Sequence, residues 1–333
     1  MASETAGETS QRRTPLLGWG GGLVGLVALA AVAAPLLAPH DPIEQVDPVS
    51  ARHRPPGTRL LEVRLDDGAR LLADEVELAD EGVRLRRRDE WRTLPRRRVI
   101  NLEAGRIADR RSFPLGSDRL GRDLLSRILY GARVSLLVGL LAGGLALALG
   151  LAIGGGAGLA GGWLDVVLMR AADALLSFPR LFLLLGVAGL FDLSTGWLIL
   201  ILGATSWMGA ARLVRAEVRT VRRRGFVAAA RSSGTPPLRV LLRHLLPAAL
   251  TPVIVDTTLR IGDLILIEAA LSYLGLGVQP PLPSWGNLVA DGSDALMSAW
   301  WVTAFPGAAL ALTVIGLNLL GDGLRDHLDP RHT

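Results

Sequence analysis

The stretch RLVRAEVRTVRRRGFVAAARSSGTPPLRVLLRHLLP, Arg212–Pro247, decides how the rest of the chain is read. Nine arginines (Arg212, Arg215, Arg219, Arg222, Arg223, Arg224, Arg231, Arg239 and Arg243) stand against a single acid, Glu217, and apolar runs flank the stretch on both sides. Short arginine-rich loops are retained in the cytoplasm, so this one is expected there. Within it, Phe226 to Ser233 carries the small residues Ala228, Ala229 and Ala230 and is followed by Gly234, the residue type that closes a helix C-terminus. Thr235-Pro236-Pro237 turns the chain. Leu238 to Leu246 then predicts a second short helix, with Leu238, Leu241, Leu242, Leu245 and Leu246 on one face and arginines on the other. Two short helices joined by a Gly/Pro turn and projecting from a membrane make a peg for a partner to hold; for the charges alone, attachment to anionic lipid is the competing reading.

Working outward, the 333 residues are half hydrophobic, but the apolar residues come in blocks rather than dispersed as in a soluble core. There is no cysteine, which excludes disulfides and thiolate metal sites. His40, His53, His244, His327 and His332 are scattered without ligand spacing, so no metal site is expected. All 36 basic residues are arginine, and a P-loop ATPase needs a lysine against its phosphates, so the chain is not its own conventional ATP motor. The arginines sit beside apolar runs without aromatic interleaving. Membrane topology therefore explains them better than nucleic acid does.

In chain order, residues 1–15 read as a polar cytoplasmic lead. Leu16 to Ala38 is uncharged and long enough to cross a bilayer as the first span. Residues 39–113 form a hydrophilic loop in which Thr58 to Leu102 alternates apolar and polar residues, with turn signals at Asp67-Gly68 and Glu81-Gly82; this predicts a small antiparallel β insert on the outer side. From Leu115 to Leu136, Ser117 or Asp118 is a possible helix cap, and Leu120, Leu124, Leu125, Ile128 and Leu129 recur at helical spacing. Val134 to Leu164 is a charge-free, glycine-rich second span. Asp165 to Phe191 is the third, with Arg170, Asp173, Pro179 and Arg180 marking its cytoplasmic start, and Thr195 to Ala211 is the fourth. Ala248 to about Leu276 is the fifth. A Pro/Gly-rich outer loop with Trp285 follows, then Trp300 and Trp301 as an aromatic belt at the head of the sixth span, and a polar tail over 321–333. Six spans with both termini inside leave the short outer turns with acids only. The long loop with arginines lies beyond the reach of the positive-inside rule.

Two sets of motifs carry a resemblance. The Ala228-Ala229-Ala230, Gly234 and His244-Leu245-Leu246-Pro247 pattern resembles the cytoplasmic coupling motif of binding-protein-dependent ABC permeases, with Ala228 where that motif has Glu. The strings Gly116-Ser117-Asp118, Gly121-Arg122-Asp123, Ser126-Arg127 and Tyr130-Gly131-Ala132-Arg133, together with Glu268 to Gly277 and Gln279 to Gly286, resemble the peptide-permease branch, close to its dipeptide and oligopeptide C-type subunits. The resemblance covers Leu16 to Ala38 and Pro114 to Pro330 but not the β insert.

It implies an all-α polytopic permease of the type I ABC importer fold, with a core over 114–320 that contains the coupling loop 212–247. It further implies a heterodimer with a second permease, two cytoplasmic ABC ATPase subunits that hold ATP and Mg, and an extracytoplasmic solute-binding protein. The chain would lie in the cell inner membrane, perform no covalent chemistry, bind no cofactor of its own and pass di- or oligopeptides or similar small solutes, nickel among them. Phe226, Ala228, Ala229, Ala230, Gly234, His244, Leu246 and Pro247 would form the coupling loop.

The fifth span is unusual in holding Asp256, Arg260, Asp263 and Glu268, each costing roughly 2.5–3.5 kcal/mol at the centre of a lone helix. They either line a translocation path or form internal pairs that lock helices, since Asp256/Arg260 and Arg260/Asp263 are spaced i,i+4 and i,i+3. An ion-coupled secondary transporter using Asp256, Asp263 and Glu268 is the rival class, although no internal repeat of that class is present. A membrane-anchored sensor would need few spans and no coupling loop. For the β insert the outer position suggests contact with the binding protein or the second permease.

Overall fold

In a bilayer every backbone polar group must be satisfied within its own segment, which turns long apolar runs into helices. The computed structural model describes residues 14–80, 82–100, 108–190 and 194–328. Among them, five helical stretches are long and apolar enough to cross a membrane: Pro15–Val32, Leu124–Ala160, Thr195–Arg222, Pro237–Tyr273 and Trp301–Leu328. The expectations placed on residues 1–13, Glu81, Asn101 and Leu102, Phe191 to Leu193 and Asp329 to Thr333, and on the Arg231 side chain, fall outside the described part.

Helix α1, Thr14–Val32, is followed by the short α2, Ala34–Leu37. The described residues of the segment that follows carry α3, Pro48–Ala51, and six strands: β1 Thr58–Arg64, β2 Arg70–Ala73, β3 Glu75–Ala79, β4 Gly82–Arg87, β5 Glu90–Leu94 and β6 Asp109–Phe113. They make two three-stranded antiparallel sheets, ordered β2-β1-β6 and β3-β4-β5. Val63, Leu65, Ala73, Val83, Leu85, Leu94 and Val99 form the core between them. Strand β6 extends this unit past Leu102. Its sequence, DRRSF, hides the alternation because Arg111 is buried and paired to Glu44 at 2.7 Å and Glu62 at 3.3 Å.

Helix α4, Leu124–Ala160, begins later than its leucine spacing suggests. Residues 114–123 form turns, and the cap is Asp123, which accepts the Ser126 backbone N–H at 2.7 Å; Ser117 and Asp118 do other work. The run predicted as the third span is two helices, α5 Gly162–Leu176 and α6 Arg180–Leu190. The break falls at Ser177 to Pro179 because Pro179 cannot donate and disfavours helical backbone at Phe178. Helices α7, Thr195–Ala204, and α8, Trp207–Arg222, are likewise separated at Thr205 and Ser206.

Next come α9, Gly225–Ser232, and α10, Pro237–Val240. The expected second short helix does not end at Leu246: a π-type turn over Leu241–Leu245 carries α10 directly into α11, Leu246–Tyr273. The chain closes with α12, Trp285–Ser293, and α13, Trp301–Leu328. Trp301 is buried at the head of α13, whereas Trp300 is exposed.

Helix α4 packs most extensively on α8, and glycine explains the closeness. A Cβ at Gly154 would lie 2.2 Å from the Ala211 carbonyl oxygen, and one at Gly150 would lie 2.6 Å from the Ala210 Cβ. Small residues at i and i+4 let two backbones meet where lipid supplies no hydrophobic drive.

Candidate functional site

The basic stretch is anchored before it projects. In α8, Val214, Val218 and Val221 are fully or nearly fully buried, and the arginines occupy the opposite face. Asp165 of α5, 2% exposed, receives Arg215 Nη2 at 2.7 Å and a short bond from Arg219. Arg222 Nη1 donates to the Leu159 carbonyl at 2.7 Å, satisfying a C-terminal carbonyl of α4. These three arginines therefore hold the end of the helix pack together. Topology alone assigned them no such work.

Beyond them, α9 is pinned by Val227, 0% exposed, which joins Val240, Leu241 and Leu245 in the same core as α8. Gly234 sits at φ +75°, where an L side chain is strained, and Thr235 N–H closes the helix end on the Ala230 carbonyl at 3.2 Å. The leucines of this segment divide between two faces: Leu241 and Leu245 turn inward, while Leu238 and Leu242 are 63% and 57% exposed. Phe226 is exposed and meets the His244 ring edge-on at 6.3 Å. Ala228 and Ala229 are exposed, Ala230 and Leu246 are half-buried, and Pro247 is exposed at the start of α11. The result is a two-helix projection with an apolar tip of Phe226, Leu238 and Leu242, rimmed by arginines and seated on a valine–leucine base. Such a surface can hold a partner without moving relative to α8 and α11.

The charges of α11 separate into three environments. Arg260 pairs with Asp256 through Nε and through Nη2 at 3.2 Å, and its guanidinium lies against Gly209 of α8, where a Cβ would be 2.5 Å from Nη2. Asp256 also lines a cavity of about 720 Å³ with Glu217, Arg224 and Arg325. Asp263 is exposed and has no hydrogen-bond partner among the described residues. Glu268 is apart from them. It is 0% exposed, accepts the Ser135 hydroxyl at 2.9 Å and the Ser272 hydroxyl at 2.7 Å, and those serines in turn accept the Trp285 and Val278 backbone N–H groups. Glu268 thus ties α4, α11 and the segment leading to α12.

A second buried cluster lies where the turns before α4 meet α12. Asp118, 0% exposed, receives Arg122 Nε at 2.7 Å and a short bond from Arg127, and both arginines also reach Asp291, at 3.3 and 3.0 Å. Burial alone would push the Asp118 carboxyl up, but Arg127 and Arg122 with the Arg122 backbone N–H hold it below the usual carboxylate range. The Gly-Ser-Asp and Gly-Arg-Asp strings are therefore the framework of a folded joint. Composition carried no sign of Asp291 as their partner, 164 residues from Arg127.

No group of three or more His, Asp and Glu side chains with metal-holding geometry occurs among the described residues.

Residues 146–333 match the family described as binding-protein-dependent transport system inner membrane component. The chain is 43% identical over 219 residues to a putative peptide transport system permease protein of Brucella suis biovar 1, covering 65% of this chain and 73% of that one. It is 45% identical over 217 residues to the dipeptide transport system permease protein DppC of Escherichia coli K12, covering 65% and 72%. Its fold is similar to a chain of the MetNI methionine ABC transporter in an inward-facing crystal form, with a TM-score of 0.51 at 19% identity over 61% of this chain and 96% of that one.

Proposed function

The chain belongs to the family of binding-protein-dependent transport system inner membrane components, and on that premise we propose that it carries peptides across the inner membrane, driven by ATPase subunits bound to its basic projection. Membership makes it a multi-pass, non-enzymatic permease component of an ABC importer. The finer reading has several parts. A sixth span is completed by α5 and α6 together, both termini face the cytoplasm, and the two sheets lie outside as an insert whose span is 58–113. The partners are a second permease, two ATPase subunits that hold ATP and Mg, and a binding protein that hands over a di- or oligopeptide. The domain division drawn from the sequence belongs to this proposal.

The observation that carries the coupling role is the projection itself. Phe226, Leu238 and Leu242 stay exposed while Val227, Val240, Leu241 and Leu245 beneath them are buried in one core with α8 and α11. An apolar tip ringed by arginine is a surface for protein, and its base is continuous with two membrane helices. Rotation of a bound ATPase would therefore reach the spans as rigid-body motion. Ala228, Ala229, Ala230, Gly234, His244, Leu246 and Pro247 shape the projection, and Asp256, Arg260 and Asp263 face the path.

The test is co-purification from detergent of the native chain and of the L238D/L242D variant, which alters exposed side chains only. The proposal expects ATPase subunits and ATP hydrolysis with the native chain and at least a tenfold loss of both with the variant. ATPase recovery equal in the two would refute the coupling role. No ATPase with either would refute the importer reading.

A further inference from the structure

Two helix breaks and two unmatched charges meet at one depth. Ser206, between α7 and α8, is 11 residues from Thr195, and Asp263 is 10 residues from the Tyr273 end of α11. At about 1.5 Å per residue both lie roughly 15 Å from helix ends that share a side, which is the middle of a hydrocarbon core of about 30 Å. Arg180 reaches the same level. It follows the Ser177–Pro179 break, its Nη2 donates to the Ser206 hydroxyl and, at 3.4 Å, to the Leu202 carbonyl, and it lies in the electrostatic field of Asp263 and Arg260. The sequence placed Arg180 at the cytoplasmic margin of a continuous span; the break and the Ser206 bond put it deep in the membrane.

The charges at this level do not cancel in place. Arg260 is neutralised by Asp256 and held flat against Gly209, three residues after Ser206 in the first turn of α8. That leaves Arg180 with neutral acceptors only and Asp263 with no hydrogen-bond partner, the two standing beyond ion-pair distance of each other, among the described residues. An exposed carboxylate at mid-membrane cannot face lipid at tolerable cost. Broken helices at membrane depth occur where backbone lines a cavity or packs on protein. One positive group on α6 and one negative group on α11, close enough to feel each other's field but not paired, match a small molecule with a charge at each end.

We infer that Arg180, with Ser206 bonded to it, and Asp263 form a way station in the membrane for a zwitterion, Arg180 taking the carboxylate and Asp263 the ammonium of a short peptide. This rests on the importer reading above and adds the residues that grip the solute after it leaves the binding protein. Arg260 with Asp256 braces the station and carries no net charge to it.

The chain has no cysteine, so a single introduced one reports alone. Leu266, 42% exposed and one helical turn from Asp263, is the site. In the whole transporter, with partner permease, ATPases and binding protein, L266C is expected to react with a cationic, water-soluble methanethiosulfonate. Dialanine with binding protein and a non-hydrolysable ATP analogue is expected to slow that reaction at least tenfold. D263N and R180Q, each combined with L266C, are expected to abolish the protection while leaving the reaction without dialanine in place, and R180K to keep part of it. Absence of any reaction would show the face sealed by the partner permease or lipid and would overturn the station. Protection undiminished in D263N would overturn it too. Should R180Q not assemble, D263N decides alone, because Asp263 makes no hydrogen bond or ion pair among the described residues. Failure of the importer reading is seen separately, as the absence of ATPase subunits from the unsubstituted complex.

Discussion

Replacing Asp118 by asparagine tests how much the joint between the pre-α4 turns and α12 depends on one charge. The aspartate is 0% exposed; its Oδ1 accepts the Leu120 and Arg122 backbone N–H groups at 2.9 Å each, and its Oδ2 accepts Arg122 and Arg127. Asparagine can keep the backbone bonds with its oxygen only by turning its amide N–H groups toward two guanidiniums. If it flips, the backbone bonds go instead. Either way Arg122 and Arg127, 5% and 3% exposed, are left to Asp291, which already serves Arg119 at 3.1 Å.

Breaking a buried ion pair by removing one partner costs about 3–5 kcal/mol, because the desolvated charge left behind is uncompensated. Arg119 is 55% exposed, and a surface pair of that kind is worth about 0–1 kcal/mol. Local opening sets the rate of amide hydrogen exchange, and about 1.4 kcal/mol is a factor of ten. Exchange in the peptide covering residues 116–127 is therefore expected to accelerate by about two to three and a half orders of magnitude in D118N, and by less than about tenfold in R119Q. Peptides from α8 serve as the unchanged reference. Acceleration below tenfold in D118N would refute the reasoning, since the segment would then be held by its turns and by Leu124 packing, with the ion pairs incidental.

Two further outcomes follow from the same geometry. G154A drives a Cβ into the Ala211 carbonyl, whereas a Cβ at Gly144 meets nothing within 4 Å; G154A is expected to lower thermal stability in detergent by about 1–3 kcal/mol and G144A to leave or raise it, since alanine is the better helix former by about 1 kcal/mol, and equal effects would contradict the α4–α8 contact. Acidification should loosen the sheet unit: burial and then Arg111 lower His40 to about 4, while arginine partners and backbone N–H groups outweigh burial to lower Glu44 and Asp47. In each case the unfolded chain binds protons first: His40, partly exposed, lowers stability by about 1–2 kcal/mol as pH drops from about 6.5 toward 4, and the two carboxylates add to the loss only at more acid pH, below the ordinary carboxylate range. Asp123, which burial pushes up, opposes this in part. Exchange of β1 and β6 amides, corrected for the intrinsic pH dependence, should rise over that interval, and a flat profile would contradict it.

Reading the chain as a string reached the elements whose signal is local. Alternation in LEVRL and the Asp67-Gly68 turn were enough for strands β1 and β2. The small-residue run ending at Gly234 was enough for α9 and its stop, since only glycine sits without strain at φ +75°. The same method failed where a charge faces inward or a helix breaks within an apolar run. Arg111 hid β6, the π-type turn at Leu241–Leu245 fused what read as a separate helix into α11, and the Phe178-Pro179 break split a run that hydropathy reads as continuous.

The sequence by itself determined that this is a membrane protein with a basic projection, because hydrophobic length, glycine and proline backbone preferences and the placement of arginine act within a few turns of chain. Only the tertiary structure decided which charges meet. Asp165 with Arg215, Arg127 with Asp291 and Glu268 with Ser135 are pairings between helices, the Glu268 one spanning 133 residues, and Arg180 with Ser206 joins a helix to the break between two others. A charge in a low-dielectric interior is stabilised by whatever polar group packing brings within about 3 Å. That neighbour is fixed by how helices cross, which no residue's own sequence neighbourhood records.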